Sequence, residues 1–385
     1  MKIKTKFFTV FFALFVLVQT NIQGQVLDES YYDSNLYFDE CTIFKDGVAG
    51  VKSDGFWILV NKNVNFICIR GFEDFKVFSE GLAAVKTDGK WGYVNKEGYM
   101  VIDNIYDKAL SFNNGYAPVC ISGRWGLIDK KGEVIVPIEN DNVYMWSDGD
   151  VAIVESNDNF GIFDLQKRSA YFSPEISFNV IAFNEYLAPV ASSQNLLNRK
   201  YGYIDKTGKV VIPKKFDDAK KFSEGLAAVE MKDKWGYINH EGKIVIPCKY
   251  DYAYNFSEGL AKVGLKKKYG LIDSKGNVIL PLQYEDIGNV NDGTLYFWKN
   301  DKIGFIDTKG NVIVPPIYDA AAKKFNDGLL PVKKDGKFGF VDKQGKVVIP
   351  IIFDYVTEFS EGIAAVRRNG YSGFIDTTGH VIAAQ

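Results

Sequence analysis

Histidine is almost missing from this chain: two in 385 residues, His240 and His380. Chemistry built on imidazole, whether general base catalysis or a histidine metal site, therefore has almost nothing to work with. Cysteine is scarce too. Cys41, Cys68, Cys120 and Cys248 are separated by 27, 52 and 128 residues, which fits no zinc or CxxC pattern and no disulfide framework. Cys41 and Cys68 lie within one repeat, where a bridge across strands stays open as an option in an oxidising compartment. There is no basic excess, with 46 Lys and Arg against 48 Asp and Glu. Nothing is available to neutralise a phosphate backbone, so nucleic acid is not an expected partner. HExxH, GxSxG and GxxxxGK[ST] are all absent. No apolar run beyond the first twenty residues is long enough to span a bilayer, so no membrane span is expected in the mature chain.

What is present begins with a leader. Lys2, Lys4 and Lys6 precede the apolar run Phe7 to Val18, and Gly24 offers a small residue for cleavage. This charge–apolar–small order predicts a signal peptide over 1–24 and a periplasmic or extracellular mature protein. Loss of the three lysines takes the formal charge from −2 to −5.

The rest of the chain repeats. Glycine follows a mostly aromatic slot at Gly92, Gly126, Gly161, Gly202, Gly236, Gly270, Gly304, Gly339 and Gly373, spaced by 34, 35, 41, 34, 34, 34, 35 and 34 residues. Trp57-Ile58 adds a degenerate tenth copy. Within a copy, short β-prone runs alternate with Gly, Asp and Asn turns, as in Leu226–Val229, Trp235–Asn239 and Lys243–Pro247. The links are too short for helical crossovers, so the strands should be antiparallel. The recurring proline, at Pro137, Pro213, Pro247, Pro281 and Pro350, should end the third strand because it cannot donate to a ladder. Alternation puts Gly236 and Ile238 on an apolar core face, the glycine leaving room for a neighbour.

These segments, from Gly81-Leu82-Ala83-Ala84-Val85 and Lys90-Trp91-Gly92-Tyr93-Val94 to Gly373-Phe374-Ile375-Asp376, resemble the WG-repeat (KWG) family across roughly residues 36 to 385. Departures fall at Ile58, Ile303, Ser372 and between Gly161 and Gly202. The resemblance implies an exported repeat protein with a binding role and supplies no catalytic residues. The expected fold is all-β, about ten units stacked as an open solenoid, with a partial repeat or cap at 25–43 and the repeats over 44–385. The alternative is a closed propeller-like ring, since Tyr37-Phe38-Asp39 matches Tyr250-Asp251 and the chain stops within a third strand.

Candidate functional residues are few. Asp129, Asp164, Asp205, Asp273, Asp307, Asp342 and Asp376 recur in one slot, which invites a calcium ladder. Asn61, Asn95 and Asn239 substitute there and glycine usually follows at i+3, so the series reads as turn chemistry. The second series, Asp107, Asp217, Asp251, Asp319 and Asp354, is read the same way, and Ser79, Ser223, Ser257 and Ser360 as turn caps. Neither a metal nor a cofactor is expected. The best binding candidates are the aromatic slot residues Trp57, Trp91, Trp125, Tyr201, Trp235 and Tyr269, which serve either inter-repeat packing or an exposed stripe. Leu196 and Leu197, at the tip of the insertion Ala191 to Arg199, complete the set. The expected function is a non-catalytic scaffold for a protein partner. The alternative is a binder of glycan or cell-surface polymer.

Overall fold

The computed structural model describes residues 37–68, 71–145, 150–172, 183–192 and 199–382. The expected leader over 1–24, and Leu196 and Leu197, lie outside them. All regular structure among the described residues is β, in ten sheets of three or four consecutive antiparallel strands. We number these blades 1 to 10 along the chain; they begin at Glu40, Asp74, Lys108, Asn142, Leu187, Asp218, Tyr252, Thr294, Ala320 and Tyr355.

Blade 6 illustrates how the sequence builds one unit. Ala227–Met231 and Lys234–Ile238 form a hairpin whose two tip residues, Lys232 and Asp233, both have positive φ. That is a type I′ turn, and its twist matches the strands it joins. Asp–Gly fills the same turn at Asp54-Gly55, Asp88-Gly89 and Asp335-Gly336. After the hairpin, Asn239 Oδ1 accepts the amides of Glu241 and Lys243 and turns the chain into the third strand, Ile244–Tyr250.

The proline does not end that strand. Pro247 sits inside it, where the pairing shifts register between Trp235↔Tyr250 and Tyr237↔Ile246. Two extra residues bulge across Gly236, and a proline at a bulge forfeits no ladder bond. The glycine makes this possible. A Cβ on Gly236 would lie 2.5 Å from the Ile246 carbonyl oxygen and 2.7 Å from the Cys248 nitrogen. Gly92, Gly202, Gly270 and Gly304 stand under the same backbone crossing. In blade 1, with Ile58 in this slot, the described residues of the third strand pair only through the bridges Val60↔Phe66 and Trp57↔Phe72.

Both faces of the second strand are buried, each against a different neighbour. Ile238 packs with Tyr203, Phe216 and Phe222 towards blade 5, and Tyr237 with Phe256, Ala261 and Val263 towards blade 7. Each fully buried Phe contributes about 1.5–3 kcal/mol of transfer free energy.

The open solenoid is thereby corrected: the molecule is a closed ten-bladed β-propeller. Phe38 exchanges both backbone hydrogen bonds with Ser372, at 2.9 and 2.6 Å, and so takes in blade 10 the position that Tyr250 holds in blade 6. Val381–Ile382 supplies the other part of that third strand. Phe44, Val51 and Val60 close the core with Ile363 and Phe374. The physical reason is that neither end blade has a polar outer face; an open stack would leave Phe44 and Phe374, each 1 % exposed or less, in water. None of the four cysteines is in a disulfide. Cys41 packs towards blade 10 and Cys68 towards blade 2, on opposite sides of blade 1.

Candidate functional site

Repeated links join the blades, and they account for most of the polar residues that recur in sequence. On the hairpin side, the second aspartate series acts as a clamp rather than a turn. Lys234 Nζ lies 2.5 Å from Asp251 Oδ1, and Asp251 Oδ2 accepts the Lys266 amide of the next hairpin at 2.6 Å. Lys90–Asp107, Arg124–Asp141, Lys200–Asp217, Lys302–Asp319 and Lys337–Asp354 repeat the arrangement, each Asp also taking a hairpin amide of the following blade. The lysine hydrogen bond holds the carboxyls of Asp107, Asp217, Asp251, Asp319 and Asp354 below the usual carboxylate range.

On the opposite side, the serines also reach between blades. Ser79, Ser223, Ser257 and Ser360 donate to the carbonyls of Phe112, Phe256, Val290 and Phe44. Beside them an acidic side chain accepts a turn amide of the next blade, as in Glu80 with Gly115, Glu224 with Gly259 and, across the closure, Glu361 with Gly47. His240 holds a lysine position in this ring: Nε2 is 3.0 Å from Glu185, and the imidazole stacks on Phe222 at 4.3 Å. The first aspartate series is occupied locally, each Oδ1 accepting two backbone amides of its own turn, as Asp129 does from Lys131 and Glu133.

The aromatic slot is mostly packing. Trp91 and Trp235 are each 8 % exposed; Trp57, Trp125, Tyr201 and Tyr269 are half-buried. Their faces carry ammonium groups: Lys52 over Trp57, Lys76 over Trp91, Lys108 over Trp125 and Lys220 over Trp235, at 5.5, 5.5, 6.0 and 4.9 Å. Such contacts add to burial and cover a ring face. At the insertion, only the neck is described, where Ser192 donates its amide to the Lys200 carbonyl and accepts that residue's amide on Oγ.

Blades 1, 4 and 10 carry Phe56, Asn159 and Tyr371 in place of the clamp lysine; one junction keeps the lysine but loses the aspartate. Between blades 7 and 8 the clamp aspartate is replaced by Glu285, whose side chain is 76 % exposed and 3.5 Å from Lys268. Among the described residues no hairpin amide reaches it. The residue under the clamp is buried at other junctions, as Tyr106, Phe216, Tyr250, Tyr318 and Phe353 are, but Tyr284 is only half-buried. A cavity of about 450 Å³ opens here, lined by Lys268, Tyr284, Glu285, Phe297, Trp298 and Lys299. That volume lies within the range of small-ligand sites. The aromatic row continues across the sheet: Tyr269 pairs with Tyr284, and Tyr252, 46 % exposed, lies 5.9 Å from Tyr269.

A second departure underlies the first. The middle of the blade's first strand holds small or apolar residues elsewhere, such as Ala84, Pro118, Ala228 and Ala365, but blade 7 has Lys262. Its ammonium is buried, donates to the Ile287 carbonyl at 2.8 Å, and lies over the Tyr254 ring at 4.0 Å and the Tyr269 ring at 5.1 Å. Asp286 stands 3.6 Å away. Burial lowers the proton affinity of Lys262, and of Lys220 on the same tyrosine. Sequence reasoning missed Lys262, Tyr254, Glu285 and Trp298. The available signal was departure from slot composition in blades 7 and 8.

Among solved structures, the chain is similar to one described as the eukaryotic initiation factor, at 11% identity, covering 84% of this chain and 97% of that one with a TM-score of 0.51. At such identity the likeness concerns the fold alone. Weaker likenesses are to Hsv2 of Kluyveromyces lactis (10% identity, 58% and 88% covered, TM-score 0.36) and to PorZ, a surface component of the type-IX secretion system of Porphyromonas gingivalis (9%, 89% and 58%, 0.27). No curated protein matches in sequence. The family described as WG containing repeat matches eight segments: 71–91, 91–125, 125–160, 201–235, 235–269, 269–302, 303–338 and 338–371. With matches spread over most of its length, the chain belongs to the WG-repeat family.

Proposed function

We propose that this chain is an exported, non-catalytic binding ring that takes a glycan or related cell-surface polymer at the opening between blades 7 and 8. The observation that carries the reading is the junction left unsealed over Tyr284, with Trp298 beside it and Tyr269 and Tyr252 next along the sheet. Flat, half-exposed rings with hydrogen-bonding neighbours suit the alternating apolar and hydroxylated faces of sugars. The recurring acids, serines and lysines are engaged in blade-to-blade links, which supports binding over catalysis. Binding to a glycan array tests the reading. Trp298→Ala, checked for unchanged thermal unfolding, should weaken captured glycans at least tenfold; equal binding would place the site elsewhere.

A protein scaffold is a second reading, favoured by the third strands. These lie at one edge of each sheet and leave Val210, Val211, Ile244, Val245, Val347 and Val348 between 36 and 51 % exposed. Edge strands of this kind are templates for pairing with another chain. A partner captured from the native envelope and released by Val245→Lys would support it.

A further inference from the structure

We propose that the opening between blades 7 and 8 selects a polyanionic glycan, a chain bearing uronate carboxylates, over neutral chains. The proposal rests on the glycan reading above and adds to it the sign of the ligand's charge. At six junctions the clamp lysine or arginine is neutralised by an aspartate at close contact, and that aspartate also ties down the next hairpin. Lys268 occupies the same position in blade 7, but its partner is drawn back to 3.5 Å and faces solvent. Lys299, on the other wall of the cavity, is exposed in the hairpin strand of blade 8. Both lysines thus line one cavity whose lining holds a single carboxylate, Glu285. Lys266 and Lys267, both exposed, lie on the blade 7 hairpin, which Asp251 clamps through the Lys266 amide; Asp301 is the acid of the facing hairpin. This local excess stands out on a chain of net formal charge −2.

The aromatic floor and the cationic rim divide the work. Trp298 and Tyr284 offer faces and edges for pyranose C–H groups, which do not depend on charge. Lys268 and Lys299 supply charge-assisted hydrogen bonds, about twice as strong as neutral ones, to a carboxylate at the cavity mouth.

The probe is oligogalacturonate compared with the same oligomer fully methyl-esterified, titrated by calorimetry against the full protein. Wild type should bind the free acid at least tenfold tighter, and the preference should shrink as salt is raised. The double variant Lys268→Ala/Lys299→Ala should reduce free-acid affinity about tenfold and leave the ester unchanged, whereas Trp298→Ala should weaken both. Equal affinity for acid and ester, or a double variant that keeps the preference, would overturn the charge assignment even while Trp298→Ala still abolishes binding. Loss of neither ligand in Trp298→Ala would instead overturn the glycan reading of the site. Thermal unfolding of each variant within a few degrees of wild type excludes misfolding as the cause.

Discussion

Replacing Gly236 by alanine puts one methyl group under the third strand of blade 6, where it has no space. The added Cβ would lie 2.5 Å from the Ile246 oxygen, 2.7 Å from the Cys248 nitrogen and 2.8 Å from the Pro247 carbonyl carbon. All three are backbone atoms, so no side chain can rotate away. Relief requires the bulge to lift off, loosening the Tyr250 pairing to Trp235 and the packing of Tyr250 and Ile246. Overpacking a filled core typically costs 1–3 kcal/mol, and rigid backbone neighbours place this case near 3 kcal/mol. Gly225→Ala is the matched control. Gly225 has φ +81 and nothing within 4 Å of a Cβ, so alanine there meets only left-handed backbone strain, about 1 kcal/mol. Urea unfolding of both variants, with amide exchange over 246–250, reads the difference. Gly236→Ala should lose about 2 kcal/mol more than Gly225→Ala and expose the 246–250 amides. Equal losses, or protected amides in Gly236→Ala, would refute the crossing argument.

Acid stability should follow the clamps. Asp107, Asp217, Asp251, Asp319 and Asp354 have folded carboxyls depressed by their lysines, so their stabilisation is complete above the unfolded value of about 3.9 and is lost as pH falls through the lower folded values. Thermal midpoints should therefore be flat from pH 7 to about 4.5 on account of these groups and drop below; a fall between pH 7 and 5 removed by Asp251→Asn would contradict this. For Lys262 the sign is opposite. Its ammonium is disfavoured by burial, so the unfolded chain binds the extra proton and stability rises with pH up to the unfolded value of about 10.4. Lys262→Met should erase part of that rise as pH approaches about 10.4, seen in urea midpoints, and an unchanged rise would count against its burial. Phe38→Ala removes a buried ring at the closure and should cost about 3 kcal/mol in the same assay; a loss under 1 kcal/mol would mean that the closure contributes little.

Much of the unit was legible because its signals are local. The turn acceptors Asn239 and Asp129 and the hairpin Asp88-Gly89 act within a few residues. Pro247 misled because the rule that proline ends a ladder has an exception at bulges, and the bulge exists only through Gly236. Asp251 and Ser223 looked like turn residues because their partners, the Lys266 amide and the Phe256 carbonyl, lie 15 and 33 residues away. Closure was misjudged for the same reason on a larger scale. Phe38 and Ser372 are 334 positions apart by their numbers, and local pattern alone leaves both ends looking like caps. The opening at blades 7 and 8 was readable in principle: Lys262 and Glu285 each break a slot, but attention to the aromatic–glycine register passed over them.

Small-angle scattering of residues 25–385 tests the closed ring most directly. A compact chain of this size has a radius of gyration of about 20 Å, slightly more for a ring. Ten sheets stacked openly at about 10 Å spacing would extend about 100 Å, with a radius of gyration near 30 Å. The closed propeller predicts the smaller value and a pair-distance distribution that ends well short of 100 Å. A radius near 30 Å with a long tail would contradict it.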